Sequence, residues 1–132
     1  MKRGQSAIEF LILVGAMLFV FVLFLGLFQK NIGEKIVEKR NYALTELALT
    51  IQNEINLASE ASNGYSRTFE IPKDILGSDY DVNITSGMVY ARTRDGVHAL
   101  ALPAQNVTGD MNKTSNTIRK VNGTIYLNTN PP

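Results

Sequence analysis

Glu9 is the one carboxylate in the first 33 residues, and it stands at the leading end of the apolar run GQSAIEFLILVGAMLFVFVLFLGLF, residues 4 to 28. A carboxylate beside hydrocarbon needs a cation or hydrogen-bond donors, because an unpaired charge there is costly. Conventional catalytic chemistry has few candidates. His98 is the only histidine, sits next to Val97 and Ala99 in an apolar stretch, and has no second ligand at metal spacing. Asp79-x-Asp81-x-Asn83 resembles the opening of a calcium loop, but the glycine turn is missing and Tyr90 stands where the closing Glu belongs. Strand alternation accounts for the same residues as one wet face. Phosphate-binding glycine loops and nucleophile–base pairs are not recognisable. With no cysteine, disulfides and thiolate chemistry are excluded. The sequence is therefore expected to be no enzyme and to carry no metal or cofactor. What it offers instead is four Asn-x-Thr triplets, at Asn83, Asn106, Asn112 and Asn122, each a candidate N-glycosylation acceptor if it lies outside the cell.

The elements that must position these residues change character along the chain. Five of the six phenylalanines fall between Phe10 and Phe28, a stretch with no charge. Its 19 residues would rise roughly 28 Å as a helix, close to the thickness of a bilayer core. Lys2 and Arg3 precede it, which favours a cytoplasmic N-terminus with the remainder outside. A removable secretory signal would have a shorter apolar core and a small-residue cleavage site, and Gln29-Lys30-Asn31 supplies none. The apolar segment is expected to stay.

Residues 29 to 62 keep a helical period, with Ile32, Ile36, Ala43, Leu47, Ile51, Ile55 and Ala58 along one face. No proline interrupts before Pro72. One helix is thus predicted from about Ser6 to Ala61, on the order of 80 Å long, ended by Ser62-Asn63-Gly64. Gly15, Gly26 and Gly33 lie within it, either as tolerated small residues that weaken the helix or, in a packed bundle, as points where neighbouring backbones approach. From Tyr65 the period becomes two: SRTFEIP, YDVNIT, MVYARTR, VHALALP and the pair IRKV and TIYL around Asn122-Gly123, a strong hairpin signal. These predict five or six antiparallel strands in a small sheet. Its apolar face would hold Phe69, Ile71, Tyr80, Val82, Ile84, Val89, Leu100, Leu102, Ile118, Val121, Ile125 and Leu127. A head of this size has a thin core, so it should pack on the amphipathic half of the helix. The expected class is α+β, with a helix over 5–28 for membrane or assembly, its amphipathic continuation over 29–62, and an antiparallel β head over 63–132. A net charge of +1 without a basic patch gives no sign of nucleic-acid binding.

The start of the chain adds a specific pattern. Met1-Lys2-Arg3-Gly4 followed by Gln5-Ser6-Ala7-Ile8-Glu9-Phe10 resembles the class III signal sequence of archaeal type IV pilins. The resemblance rests on the short basic leader, Gly4 before the scissile bond, Gln5 as new N-terminus and Glu9 at the fifth mature position. Past Phe28 it is a likeness of architecture alone. It implies a type IV pilin fold and removal of residues 1–4 by a membrane prepilin peptidase that leaves the apolar helix attached. It also implies an assembly ATPase, membrane platform proteins, and an extracellular filament of many copies joined through residues 5–28, serving adhesion. Glu9 of one copy would pair with the new amine on Gln5 of another. Loss of Lys2 and Arg3 would shift the side-chain charge from +1 to −1 and loosen the cytoplasmic anchor.

Close variants share this logic: a minor pilin, or an archaellin, although archaellins are usually longer. Bacterial type IV pilins usually begin the mature chain with Phe or Met and often carry a head disulfide, unlike Gln5 and a cysteine-free chain. From another class comes a single-span membrane protein with an external β binding domain, uncut at Gly4, in which Glu9 merely reaches the headgroups and the positive helix end.

Overall fold

The structure is a computed structural model that describes residues 2–132, with Lys2 and Arg3 described by backbone alone. The two basic leader side chains therefore lie outside the described residues. One helix, α1 (Lys2–Glu60), precedes seven strands: β1 (Ser66–Glu70), β2 (Tyr80–Thr85), β3 (Met88–Thr93), β4 (Ala99–Pro103), β5 (Val107–Thr108), β6 (Ser115–Val121) and β7 (Thr124–Leu127). The architecture is α+β, a long N-terminal helix followed by a small, largely antiparallel β portion packed on it. The helix starts earlier than the Ser6 expected, because Lys2, Arg3 and Gln5 are good helix formers and no proline stops them. By contacts the chain divides into two compact units, Met1–Glu38 and Lys39–Pro132.

In the first unit the apolar side chains are left largely exposed. Ile8, Phe10 through Leu13, Met17 through Leu25, Leu27 and Phe28 are all exposed. Ile32 and Ile36, expected on the buried stripe, are exposed as well. The buried stripe begins at Leu44, within the second unit.

In the second unit the buried helix face is Leu44, Leu47, Ala48, Ile51, Ile55 and Ala58, at the three- and four-residue steps of one helical face. Against it lie Phe69, Ile71, Ile75, Tyr80, Val89, Ala91, Ile118, Ile125 and Leu127. Val82, Ile84, Leu100 and Leu102 are half-buried on the same core. Leu44 and Ala48 carry packing that the expected stripe assigned to Ala43, which is half-buried. The core thus draws on both elements, and neither buries its apolar face alone.

The strands form two sheets where one was expected, in the orders β1-β6-β7-β5 and β2-β3-β4. Pro72, just past β1, has no N–H to extend a ladder, and the turn around Leu76 and Gly77 lies between β1 and β2. All pairings are antiparallel except β5 with β7. β5, two residues long, was too short to show a period. Its place beside β7 requires Gly109, where φ is +115° and a Cβ would stand 2.0 Å from the Leu127 carbonyl oxygen. The β6–β7 turn has the paired positive φ at Asn122 and Gly123 that the hairpin signal demands.

α1 ends as its sequence suggests, with Gly64 at φ +94°. The β6–β7 hairpin holds that end. Lys120 Nζ donates to the carbonyls of Ser59 at 2.5 Å and Ala61 at 2.8 Å. Gly64 N–H donates to the Lys120 carbonyl at 2.9 Å, and Gly123 N–H donates to Asn63 Oδ1 at 2.8 Å.

Candidate functional site

Two regions concentrate the residues singled out by sequence. The first is the leading part of α1. Gln5 and Glu9 are one turn apart on the helix, and Gln5 Nε2 donates to Glu9 Oε1 at 3.4 Å. Glu9 is exposed, with apolar neighbours Ile8 and Phe10 also exposed. An 18-residue window of this helix has a mean hydropathy of 3.0 and no buried residue. The helix is long and apolar enough to cross a membrane. Phe24 and Phe28 touch along its flank, with ring centroids 5.6 Å apart. A Cβ at Gly4, Gly15, Gly26 or Gly33 would meet nothing within 4 Å, so the small size of these residues serves no packing inside the chain.

The second region is the outer surface of the β portion, where Asn83, Asn106, Asn112 and Asn122 are all exposed. Asn83 lies within β2, directly opposite Tyr90 of β3. Asn106 lies in the β4–β5 connection. The backbone of Asn112 is held by Asn116, whose Oδ1 accepts from Asn112 N–H and whose Nδ2 donates to the Asn112 carbonyl, both at 2.8 Å. Asn122 occupies the tight β6–β7 turn.

The acidic residues that resembled a calcium loop pair with cations instead. Asp79 accepts from Lys113 and from Arg94, the latter at 2.6 Å. Asp81 sits 3.5 Å from Arg92 and 3.6 Å from Arg94. The Lys113 hydrogen bond, aided by Tyr80 N–H and the Arg94 charge, holds the Asp79 carboxyl below the usual carboxylate range. Burial, with Asp79 and Asp74 nearby, pushes the Tyr80 phenol up to about 12. Its hydroxyl donates to the Pro72 carbonyl.

His98 is half-buried at the end of the β3–β4 turn, its backbone N–H donating to Thr93 Oγ1 at 3.1 Å. Asp95 in the same turn accepts from Thr93 Oγ1 at 2.5 Å and from Val97 N–H at 3.1 Å, and these bonds lower its carboxyl pKa. Among the described residues, no group of three or more His, Cys, Asp or Glu side chains could hold a metal ion. Sequence reasoning gave no role to Asn116 or Lys120. Lys120 reaches residues 61 and 59 positions away, and Asn116 bonds Asn112 and Asn128, 4 and 12 positions away, by side-chain contacts that no periodic pattern announces.

The fold and these surfaces define an α+β protein whose helical segment is able to span a membrane. No family model, no curated protein and no solved structure matches the chain.

Proposed function

We propose that this chain is a structural subunit of an archaeal type IV pilus-like surface filament. It is made as a membrane precursor with its head outside, cut between Gly4 and Gln5 by a prepilin peptidase, and polymerised through residues 5–28 by an assembly ATPase and membrane platform. The filament serves adhesion, and the exposed asparagine triplets make its head a glycoprotein.

One observation carries the reading: an uncharged apolar helix surface over residues 10–28 that this chain leaves uncovered, led by Glu9 four residues beyond Gln5. Contiguous apolar surface of this extent marks a lipid or protein interface. A filament core supplies both kinds of cover in succession: lipid first, then copies of the same helix. Head-to-tail contacts that do not close give an open helical fibre. The unused small size of Gly15 and Gly26 fits close helix approach between copies.

The test is mass spectrometry of protein from the cells that make it, with electron microscopy of sheared surface material. A chain beginning at Gln5, recovered in filaments, is the expected result. A chain still carrying Met1–Gly4 and held singly in the membrane overturns the reading. That outcome is the second reading, a single-span protein with an external β domain. The Gln5–Glu9 bond favours it, since it partners Glu9 without another copy.

A further inference from the structure

The outer face of the β2-β3-β4 sheet holds an open concavity of about 620 Å³. This falls within the roughly 300–1,000 Å³ of small-molecule sites. The register builds it row by row. Asp81, Arg92 and Ala99 face one another across the three strands, and so do Asn83, Tyr90 and Ala101. The two alanines make a low floor on β4, and the longer side chains of β2 and β3 rise beside it. Tyr90 is 42% exposed on a β3 face whose opposite residues, Val89 and Ala91, are buried. An aromatic ring, a carboxylate, a guanidinium and an amide therefore border one hollow that no part of this chain fills.

That combination suits a pyranose ring. The C–H edges of a sugar are electropositive and lie well on the negative face of an aromatic ring. Planar Asp and Arg side chains present paired acceptors and donors to neighbouring hydroxyls. The occupant has a built-in attachment point, because Asn83-Ile84-Thr85 is an acceptor triplet and Asn83 forms part of the wall. Directly opposed residues on an antiparallel pair have Cβ atoms about 5 Å apart, so a sugar on Asn83 starts beside Tyr90. The other three triplets have no such setting. Asn122 lies in a two-residue turn, and Asn106 and Asn112 lie in connections with no aromatic residue paired across a strand from them.

We propose that Asn83 carries an N-linked glycan whose first sugar seats in this hollow on Tyr90, between Asn83 and the Asp81–Arg92 pair. The inference rests on the head being exported, but not on filament formation. In the linking step the Asn83 side-chain nitrogen bonds to the anomeric carbon of a sugar activated as a lipid phosphate or pyrophosphate ester. The anomeric carbon–oxygen bond to that ester breaks, the lipid phosphate leaves as the anion, and one amide proton is released. A separate membrane transferase performs it. Afterwards the sugar ties β2 to β3 on the solvent side, as the buried residues do on the other.

The test uses the full chain in detergent, purified from the cells that make it and, unglycosylated, from a host without the transfer machinery. Glycopeptide mapping should find Asn83 occupied. Asn83→Gln should lower the Tm of the native-source protein by roughly 4 °C, the scale of one modest interaction in a small domain, and leave the unglycosylated protein unchanged. Tyr90→Ala should abolish the Tm effect of Asn83→Gln in the native-source protein without changing occupancy at Asn83, and Tyr90→Phe, which keeps the ring, should preserve it. An unmodified Asn83, or a glycan whose contribution survives Tyr90→Ala in full, overturns the proposal. The N-terminal peptide from the same digest reports separately whether the chain was cut after Gly4. A seated glycan on an uncut chain therefore rejects the filament reading alone.

Discussion

Gln5 and Glu9, one helical turn apart, are joined by a side-chain hydrogen bond of 3.4 Å. In a single copy this bond gives the carboxylate a donor where the neighbouring side chains are apolar. Cutting after Gly4 would create an ammonium on the residue that makes the bond, and a charged partner is worth more than an amide. The Glu9 of an adjoining copy would then be the better match, and the local bond would be exchanged for one between copies. Removing one member of a buried ion pair costs about 3–5 kcal/mol. Glu9→Ala should therefore leave cleavage intact while reducing filament yield at least about tenfold, measured in the sheared surface fraction. Gly4→Val should leave the chain uncut, seen as a retained N-terminal peptide. Normal filaments from Glu9→Ala cells would remove the pairing idea.

Lys120 closes the far end of α1. Its ammonium donates to two carbonyls, Ser59 and Ala61, that have no helical partner beyond them. A cation there also meets the negative end of the helix dipole. Hydrogen bonds to charged groups contribute about 1.5–3 kcal/mol, so Lys120→Ala should destabilise the chain by about 2 kcal/mol in equilibrium denaturation in detergent. Lys120→Gln should recover part of that loss. An unchanged midpoint in Lys120→Ala would show that water replaces the ammonium at no cost.

Asn116 is buried, and both ends of its amide are engaged. Besides holding Asn112, its Oδ1 accepts from Asn128 Nδ2 at 2.7 Å, and the same Asn128 amide donates to the Asp110 carbonyl at 2.8 Å. Asn116→Ala would remove its hydrogen bonds to the Asn112 N–H, the Asn112 carbonyl and the Asn128 amide, each contributing about 0.5–1.5 kcal/mol net. A loss of about 2–3 kcal/mol is expected, with faster hydrogen exchange at the Asn112 amide. Exchange at wild-type rate would contradict the clamp.

Tyr80 is expected to contribute to the alkaline limit of stability. Its phenol, pushed up to about 12 in the fold, starts from 10.0 in the unfolded chain. The folded state thus holds the proton more tightly, so this contribution is complete below pH 10 and disappears as pH climbs from 10 to 12. Tm should fall across that window in wild type. In Tyr80→Phe, which also loses the bond to the Pro72 carbonyl, Tm should start lower and fall less steeply. A parallel decline in both proteins would show that other groups set the limit.

Much of this architecture could be read from period alone. The uncharged stretch over residues 10–28, the helical steps through Leu47, Ile51, Ile55 and Ala58, and the alternation from Tyr65 onward are local patterns, and they became a helix followed by strands. Asn122-Gly123 and Gly64 were legible for the same reason, since each needs a backbone conformation that few other residues adopt. β5 was not legible, because two residues carry no period and its parallel pairing depends on β7 and on the absence of a side chain at Gly109.

The sequence by itself determined that the leading helix is apolar all round and that four acceptor triplets follow it, because both depend only on residue type and order. Tertiary structure alone decided that the buried stripe starts at Leu44 rather than Ile32, that the strands divide into two sheets, and that Asn83 faces Tyr90 across an open hollow. Those outcomes follow from which segments meet: burial, sheet order and the reach of Lys120 to the end of α1 depend on residues far apart in the chain. Even the nearer pairs, Asn83 with Tyr90 and Asn116 with Asn112, are set by register and backbone path rather than by residue type.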